Sequence, residues 1–376
     1  MKKFKLSYCK NCILPNTRPN LHIGLEGICN ACLSHSKKQS INWKVRKKKF
    51  LNIINKVKLK KVKYDCLIPV SGGKDSTWQV ITALNYNLNP LCVTWKTPAR
   101  NKIGQENLDN LIRLGVDHID FTINPKTEKI FVLKSFKKLG NPALPMHMAL
   151  HSIPLQIAIS MKIPLIIWGE NSADEYGSTD KKLEGAILTN SWRKKFGVTN
   201  ETKALDWIDK DLDKKNLSPY ILPSEKEKKK SQVMEIFLGY FFKWDPEKIY
   251  SIVKKRGFKS SKTIKTGLYN YADIDDEYFI PIHHWMKLYK FGFTRLYDNL
   301  SLEIRNKRIT RETAIKIIKK HQHAIPSKQI ENFCKYTKIT KKQFFKIAEK
   351  FRNRKIWIKK NNKWCIRNFI IKDFKW

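Results

Sequence analysis

Residues 66–77 read CLIPVSGGKDST. The apolar run from Cys66 to Val70 is typical of a buried strand, and it leads directly into a Ser-Gly-Gly turn. A helix is predicted to follow, with Asp75 and Ser76 in its first turn. Glycines let the backbone approach an anion, and the free N–H groups of a helix start favour phosphate. The stretch therefore predicts a pyrophosphate site, with Asp75 placed to hold a magnesium ion that bridges the phosphates.

This loop is not of the Walker type, because no GxxxxG frame precedes its lysine and serine. SGGKDS instead resembles the SGGxDS signature of the PP-loop ATP pyrophosphatase superfamily. Members of that superfamily cleave ATP between the α and β phosphates and transfer AMP to a substrate oxygen. A chance SGG turn in a surface loop is the alternative, but the position directly after a core strand argues against it.

The segment from Tyr64 to about Gly177 alternates between strand and helix patterns. Apolar runs lie at 66–70, 91–95, 116–123 and 164–168, and helical stretches lie near 75–86, 104–114, 126–139 and 147–161. This alternation is typical of βαβ units and a buried parallel sheet. We therefore expect an α/β fold whose core is a parallel-sheet PP-loop domain of the adenine nucleotide alpha hydrolase type.

Ligands of parallel sheets bind beyond the carboxyl ends of the strands. The adenine is therefore expected near Thr94 and Trp95, at the end of the second strand. The fourth strand runs into WGENSADEYG at 168–177, where acidic and polar residues cluster. Glu170 is the first candidate to hold metal or position the substrate, and Asp174 or Glu175 is the second. A hydrogen-bonded exit from the strand is the structural alternative.

Two CxxC pairs stand near the N-terminus, separated by sixteen residues: Cys9, Cys12, Cys29 and Cys32. Four thiolates at this spacing predict a closed tetrahedral zinc site, which is structural. An iron–sulfur cluster or a redox role is the alternative. Two of the other cysteines, Cys66 and Cys92, lie in predicted strands, where a thiol behaves as a small hydrophobe.

We predict five regions along the chain. They are a zinc-ribbon-like module (1–36), a basic linker helix (37–63), the PP-loop ATP-binding core (64–177), a charged insertion or lid (178–230), and a mainly helical region for substrate or partner binding (231–376). The absence of a long apolar run or a secretory-type start predicts a cytoplasmic protein without a membrane segment.

The 376 residues include 75 Lys and Arg against 33 Asp and Glu, a formal net charge of +42. Such a charge attracts nucleic acid, nucleotides, anionic sugars or acidic partners. Basic triplets recur along the whole chain, for example at 47–49 and 228–230. This spread favours a compositional bias toward lysine over a single polyanion-binding face.

The order of the motifs along the chain narrows the choice of protein family. The double CxxC, SGGKDS, WGEN at 168–171 and the segment at 278–315 together look like the N-acetyl sugar amidotransferase family, of the WbpG and PseA type. The resemblance spans roughly residues 5–350. Its most discriminating part is the segment with Lys287, Lys290, Arg295 and Arg305, which general PP-loop enzymes lack.

The resemblance implies an AMP-forming carbon–nitrogen ligase that uses ATP, Mg²⁺ and Zn²⁺. Such an enzyme adenylates the acetamido oxygen of an N-acetyl sugar and replaces it with ammonia to give an acetamidino group. The products belong to bacterial surface polysaccharide (LPS O-antigen) or flagellar glycan. Ammonia is expected from a separate HisH-like glutaminase subunit, because Lys2 stands where a catalytic cysteine would be needed. A HisF-like cyclase subunit is a further expected partner.

Site residues follow from this reading as hypotheses. Lys74, Asp75 and Glu170 are expected to be catalytic. The expected nucleotide-binding residues are Ser71, Gly72, Gly73, Asp75, Ser76, Thr77, Thr94 and Trp95. The expected sugar-binding residues are His283, His284, Lys287, Lys290, Arg295 and Arg305. His147 and His151, four residues apart without the glutamate of an HExxH motif, are expected in the core or facing substrate.

Two alternatives stay open. A PP-loop enzyme that modifies tRNA, by thiolation or a related reaction, is the first, and the positive charge favours it. Sulfur transfer usually needs a reactive cysteine near the loop, whereas the cysteines of the predicted sheet look buried. The second alternative is a zinc-containing nucleic-acid binder without enzymatic activity, which would have no use for SGGKDS after a core strand.

Overall fold

The structure is a computed structural model that describes residues 4–376, so Lys2 lies outside the described residues. Its centre is a five-stranded parallel sheet of order β3-β2-β1-β4-β5. The strands are β1 (Cys66–Pro69), β2 (Pro90–Trp95), β3 (Asp117–Phe121), β4 (Leu165–Trp168) and β5 (Met234–Phe237). The order reverses at β1, which pairs with β2 on one side and β4 on the other. The expected α/β fold and its four predicted strands are confirmed.

The sequence pattern does not predict the fifth strand, which lies in the region expected to be mainly helical. Its apolar run is short and interrupted by Glu235, a residue that strands disfavour when it is unpaired. In the structure Glu235 is buried and forms ion pairs with Arg193 and Lys228. It also accepts a hydrogen bond from the Trp168 indole at 3.1 Å. The sheet therefore extends beyond Gly177, while the division of the chain into five domains stays a prediction.

Helices flank the sheet on both faces. The first six are α1 (Asn30–Lys37), α2 (Trp43–Lys58), α3 (Lys74–Asn85), α4 (Lys102–Ile112), α5 (Pro125–Leu139) and α6 (Leu144–Ser160). The last four of these lie close to their predicted ranges. Helix α5 shows why: Asn124 caps its first N–H groups, Pro125 opens it, and Gly140 ends it in the left-handed conformation. Helix α2 lies within the predicted basic helix and packs Phe50 against Phe241 and Tyr86.

The segment at 178–230 is part of the hydrophobic core. The short helix α7 (Ser172–Tyr176) precedes this segment. The segment contains α8 (Asn190–Phe196) and most of α9 (Glu225–Ser231). Trp192 and Trp207 are buried in the same cluster as the sheet, and Trp207 packs on Phe131 with ring centroids 5.2 Å apart. Most of its charged side chains face solvent, whereas Arg193 and the two tryptophans are buried. The interpretation as a charged insertion or lid stays a prediction.

The remaining chain is mainly helical, with an irregular segment between its second and third helices and a hairpin near its end. Its elements are α10 (Leu238–Phe241), α11 (Pro246–Lys254), α12 (Phe279–Phe291), α13 (Arg295–Arg305), α14 (Arg311–His321), α15 (Ser327–Thr337), α16 (Lys341–Glu349) and the antiparallel hairpin of β6 (Trp357–Lys360) and β7 (Lys363–Ile366). Among the described residues, no helix has both the length and the apolar character that a membrane crossing requires.

The N-terminal module shares a core with this C-terminal part. Its four cysteines belong to the same apolar cluster as Tyr297 and Trp357. Arg311 donates to the carbonyl of Cys12 at 3.0 Å, and Arg18 donates to Asp298 at 2.8 Å. The module is therefore fixed to helices α13 and α14 instead of being a separate appendage.

Candidate active site

The SGGKDS loop joins β1 to α3 in a conformation that only glycine accommodates. Gly72 has φ +81°, and a Cβ there would lie 2.7 Å from the backbone nitrogen of Leu108. The loop is braced internally, because the amide of Gly73 donates to Ser71 Oγ at 3.2 Å. Thr77 is buried, and its hydroxyl donates to the carbonyl of Gly73 at 3.0 Å. Thr77 therefore supports the turn, and its part in nucleotide binding stays a prediction.

A cavity of about 150 Å³ opens above this loop, at the carboxyl ends of β1 and β4, and we call it the nucleotide pocket. The sequence-predicted residues that line it are Ser71, Gly73, Lys74, Asp75, Ser76, Glu170 and Arg295. Other residues that line the cavity were not among the predicted site residues. They include Tyr176, Trp244, Tyr269, Tyr271, Asp273, Asp275 and Asn299. The loop, the end of β4 and helix α13 thus converge on one pocket at the topological switch point of the sheet.

Lys74 and Asp75 form an ion pair at the edge of the pocket. The Lys74 ammonium lies 2.7 and 2.6 Å from the two carboxylate oxygens of Asp75. The indole of Trp244 donates to the same carboxylate at 3.1 Å. Lys74 is only 6% exposed, so its charge acts at short range and with little screening. The pair is therefore held in place beside the loop where phosphates are expected.

Four carboxyl groups line the pocket: Asp75, Glu170, Asp273 and Asp275. Burial and the charge of Asp75 raise the pKa of Glu170 above its usual range. Burial likewise raises the pKa of Asp275, and the neighbouring Asp273 adds to this. One oxygen of Asp273 is buried without a hydrogen-bond partner. Mg²⁺ is usually held by one or two carboxylates together with phosphate oxygens, and one or two of these residues fit that role. Among residues 4–376, no three of them come close enough together to form a metal cluster by themselves.

The sequence carried one signal for the missed acids. Asp273 and Asp275 lie in the run ADIDDEY at 272–278, which is acidic within a strongly basic chain. The run has no strand or helix pattern of its own. Its position near the carboxyl end of β1 therefore depends on tertiary contacts. It reaches the core partly through an isolated bridge between Arg100 and Asp276.

Thr94 and Trp95, which are predicted to lie near the adenine, do not line the nucleotide pocket, and their part in binding adenine stays a prediction. The Thr94 hydroxyl lies 2.8 Å from His118 Nε2, on the neighbouring strand. The Trp95 indole donates to Glu128 at 2.9 Å. Both side chains are directed into contacts with β3 and α5, because the packing of helices on the sheet satisfies their polar atoms there.

Of the six predicted sugar ligands, Arg295 alone lines the nucleotide pocket. Its guanidinium donates to the hydroxyl of Tyr176 at 3.3 Å. Arg305, at the end of α13, instead lines a neighbouring cavity. His284 lines a third cavity and lies 3.1 Å from the Thr266 hydroxyl.

The other three are engaged in structural contacts. His283 lies 3.0 Å from the side-chain oxygen of Asn141. Lys287 pairs with the buried Asp298 at 3.3 Å. Burial lowers the pKa of Lys290 to about 8, and its ammonium lies 5.7 Å from the centre of the Phe351 ring.

The histidine pair of α6 is a core feature. His151 packs on Trp168, with ring centroids 5.3 Å apart, and burial lowers its pKa well below the usual value. His147 lies 5.9 Å from the ring of His283. Within residues 4–376, the metal-type cluster of three or more His, Cys, Asp or Glu ligands is that of the four cysteines.

The four cysteine sulfurs lie within 4.8 Å of one another, and all four residues are buried. The Cys9–Cys32 and Cys12–Cys29 sulfurs are 3.9 and 3.7 Å apart. A tetrahedral zinc site with Zn–S bonds of about 2.3 Å places its sulfurs roughly 3.8 Å apart. The amides of Cys12 and Cys29 both point to the Cys9 sulfur. The geometry fits a closed zinc site that supports the fold.

Comparison with known families matches residues 266–370 to the model described as LPS biosynthesis protein WbpG-like, C-terminal domain. This agrees with the resemblance drawn from the sequence. No curated protein matches the chain.

Two solved structures are similar at low scores. One is a predicted subunit of tRNA methyltransferase from Methanocaldococcus jannaschii, with 14% identity over 62% of this chain and 91% of that chain, at a TM-score of 0.30. The other is NMN synthetase from Francisella tularensis, with 16% identity over 59% of this chain and 90% of that chain, at a TM-score of 0.27. These TM-scores are too low to carry an inference.

Proposed function

We propose that this chain, whose C-terminal domain is WbpG-like, is a PP-loop enzyme that adenylates the acetamido oxygen of an N-acetyl sugar and lets ammonia displace AMP. One observation carries the proposal. The matched segment supplies a wall of the nucleotide pocket, through Tyr269, Asp273 and Arg295, while SGGKDS forms its floor. A segment characteristic of surface-glycan enzymes thus lies against a loop suited to ATP.

The chemistry explains why ATP is needed. An amide oxygen is a poor leaving group, so ammonia does not displace it directly. In the proposed reaction that oxygen attacks the α-phosphorus of ATP, the bond to the β-phosphate breaks, and pyrophosphate leaves. Ammonia then adds to the imidate carbon, the carbon–oxygen bond breaks, and AMP departs with the original amide oxygen. The product is an acetamidino group.

The pocket residues have distinct roles in this scheme. Ser71, Gly73 and Ser76, at the start of α3, bind the pyrophosphate portion of ATP. Lys74 stabilises the negative charge that develops on the phosphates during transfer. Asp75 would hold magnesium, and the ion when bound would neutralise phosphate charge. Arg295, fixed by Tyr176, orients the acceptor.

Ammonia is proposed to come from a HisH-like glutaminase partner, with a HisF-like cyclase subunit as a further companion, in the cytoplasm. In the part of the chain that the structure describes, the cysteines outside the zinc cluster are buried: Cys66, Cys92, Cys334 and Cys365. Burial raises the pKa of Cys66 and takes that of Cys92 to about 12. These thiols are unsuited to hydrolyse glutamine, and equally unsuited to carry sulfur to tRNA.

The test is the formation of AMP and pyrophosphate by the zinc-loaded protein with MgATP and ammonium chloride. Acceptors would be a panel of N-acetylated bacterial sugars and bulk tRNA, with non-acetylated amino sugars as controls. AMP formation that needs an acetamido sugar, with mass spectrometry showing oxygen replaced by NH, is the expected result. AMP formation stimulated by tRNA and by no sugar would instead favour tRNA modification.

A further inference from the structure

A second cavity lies directly beside the nucleotide pocket. Its volume is about 210 Å³, and Trp244, Pro246 and Leu302 form part of the wall of both cavities. We call it the basic pocket. It is built by four separate parts of the chain: residues 35–43, Glu175 of α7, residues 239–246, and residues 302–307 at the end of α13.

Positive charge dominates this pocket. Its lining includes Lys38, Lys243, Arg305 and Lys307, and the one carboxylate in the lining is Glu175. Glu175 is already paired with Lys38, so it leaves three cations without a carboxylate partner within the lining. Lys243 and Lys307 are exposed to solvent, whereas Arg305 is 6% exposed.

Arg305 gives the strongest evidence that this pocket binds an anion. One terminal nitrogen of its guanidinium donates to the carbonyl of Glu175 at 3.1 Å. Its Nε and its other terminal nitrogen are buried without any hydrogen-bond partner. A buried charged donor without an acceptor is unfavourable, so this guanidinium would be stabilised by an anion that accepts from it. The neighbouring His35 supports this: burial and then the charges of Arg305 and Lys38 lower its pKa to about 4.

We propose that the basic pocket binds a phosphoryl group at a site separate from the one where the SGGKDS loop holds the phosphates of ATP. Guanidinium groups match phosphate oxygens in shape and charge, and the surrounding lysines add attraction at longer range. The phosphoryl group has two potential sources: pyrophosphate released by adenylation, or a phosphate carried by the acceptor sugar. The wall shared with the nucleotide pocket places either one next to the reaction. This inference rests on the proposed function only in assigning ATP to the loop.

The test is calorimetric titration of the full-length zinc-loaded protein, with the loop first saturated by magnesium and α,β-methylene ATP. The titrants are inorganic phosphate, pyrophosphate and UDP-N-acetylglucosamine. We expect at least one to bind, and Arg305→Gln to weaken that binding about tenfold or more, as for a lost hydrogen bond to a charged group. Lys316→Gln, an exposed lysine on α14 away from the pocket, should leave it unchanged.

A second variant guards against misfolding of Arg305→Gln. The exposed pair Lys243→Gln and Lys307→Gln should fold normally and weaken binding roughly two- to fivefold for each charge removed. Preference for pyrophosphate assigns the pocket to the product, and preference for the sugar nucleotide assigns it to the acceptor. The inference is overturned if no titrant binds, or if both sets of variants bind as the parent does. The titration measures binding and not turnover. The proposed function is tested separately by formation of an acetamidino product, and absence of that product would refute the function without changing the binding result.

Discussion

Asp75 is the residue on which the proposed chemistry depends most. It is paired with Lys74, receives a hydrogen bond from Trp244, and faces three other carboxyl groups across the nucleotide pocket. Asp75→Asn preserves size and the Trp244 contact but removes the charge that would bind magnesium. We predict a fall of about 10²- to 10³-fold in AMP formation, as for loss of one electrostatic catalytic group. The melting temperature should fall somewhat, because the buried Lys74 ammonium loses its carboxylate partner, while circular dichroism should show an intact fold. Asp211→Asn, at an exposed surface carboxylate, is the control, and equal rates for the two variants would contradict the role.

A second residue-scale prediction concerns Glu128, the partner of Trp95. Burial raises its pKa from 4.5 to about 8. Its protonated form therefore contributes stability that is complete below pH 4.5 and is lost as the pH rises toward 8. Glu128→Gln keeps an acceptor for the Trp95 indole without this ionisation. The stability gain of the variant over the parent should grow between pH 5 and 8, by at most about 1.4 kcal/mol per pH unit, and then level off. Urea unfolding across this range measures it, and a difference independent of pH would contradict the assignment.

The β1–loop–α3 element can be tested through two glycines. Both Gly72 and Gly115 have positive φ, but a Cβ at Gly72 meets the Leu108 backbone at 2.7 Å, whereas one at Gly115 meets nothing within 4 Å. Gly115→Ala should therefore cost about 1 kcal/mol from backbone strain alone. Gly72→Ala should cost more and weaken binding of an ATP analogue at least tenfold, because the loop must shift. Denaturant unfolding and calorimetry distinguish the two, and equal nucleotide affinity would argue against the loop as the phosphate site.

At the same scale, the sequence predicted the elements that have a local signal. Strands β1 to β4 and helices α3 to α6 carry regular apolar patterns with capping residues such as Asn124 and Gly140. Strand β5 has a charged residue at its centre, and only the tertiary partners Arg193 and Lys228 make that residue tolerable. Thr94 and Trp95 lie at the end of the second strand, as predicted. The direction of a side chain at a strand end depends on the residues that pack against it.

The whole molecule is held together by contacts between distant parts of the chain. The cysteine module reaches the C-terminal domain through Arg18 and Asp298, and Lys287 joins the same carboxylate. Although burial acts to raise it, the charges of Arg18, Lys287 and Arg295 keep the pKa of Asp298 below its usual range. The acids at 273–275 and Arg295 of α13 reach the nucleotide pocket through such long-range packing. This placement has no local signature in the sequence, which is why most of the predicted sugar-binding residues do not line that pocket.

Zinc should therefore affect the active site from a distance. Cys12→Ser removes one ligand and should lower zinc content, lower the melting temperature and reduce acceptor-dependent AMP formation, because α1 and α13 lose a shared support. Cys365→Ser, a buried cysteine of the terminal hairpin outside the cluster, should retain zinc. Metal analysis and thermal unfolding test this. If the zinc-depleted protein melted like the parent, the structural role would be wrong.

The most direct measurement follows the amide oxygen itself. An N-acetyl sugar labelled with ¹⁸O in its acetamido group would be incubated with the enzyme, MgATP and ammonium chloride, and the products analysed by mass spectrometry. The account predicts that one ¹⁸O appears in AMP for each acetamidino group formed, and none in pyrophosphate. Unlabelled AMP, with the ¹⁸O retained in the sugar, would contradict adenylation of the acetamido oxygen.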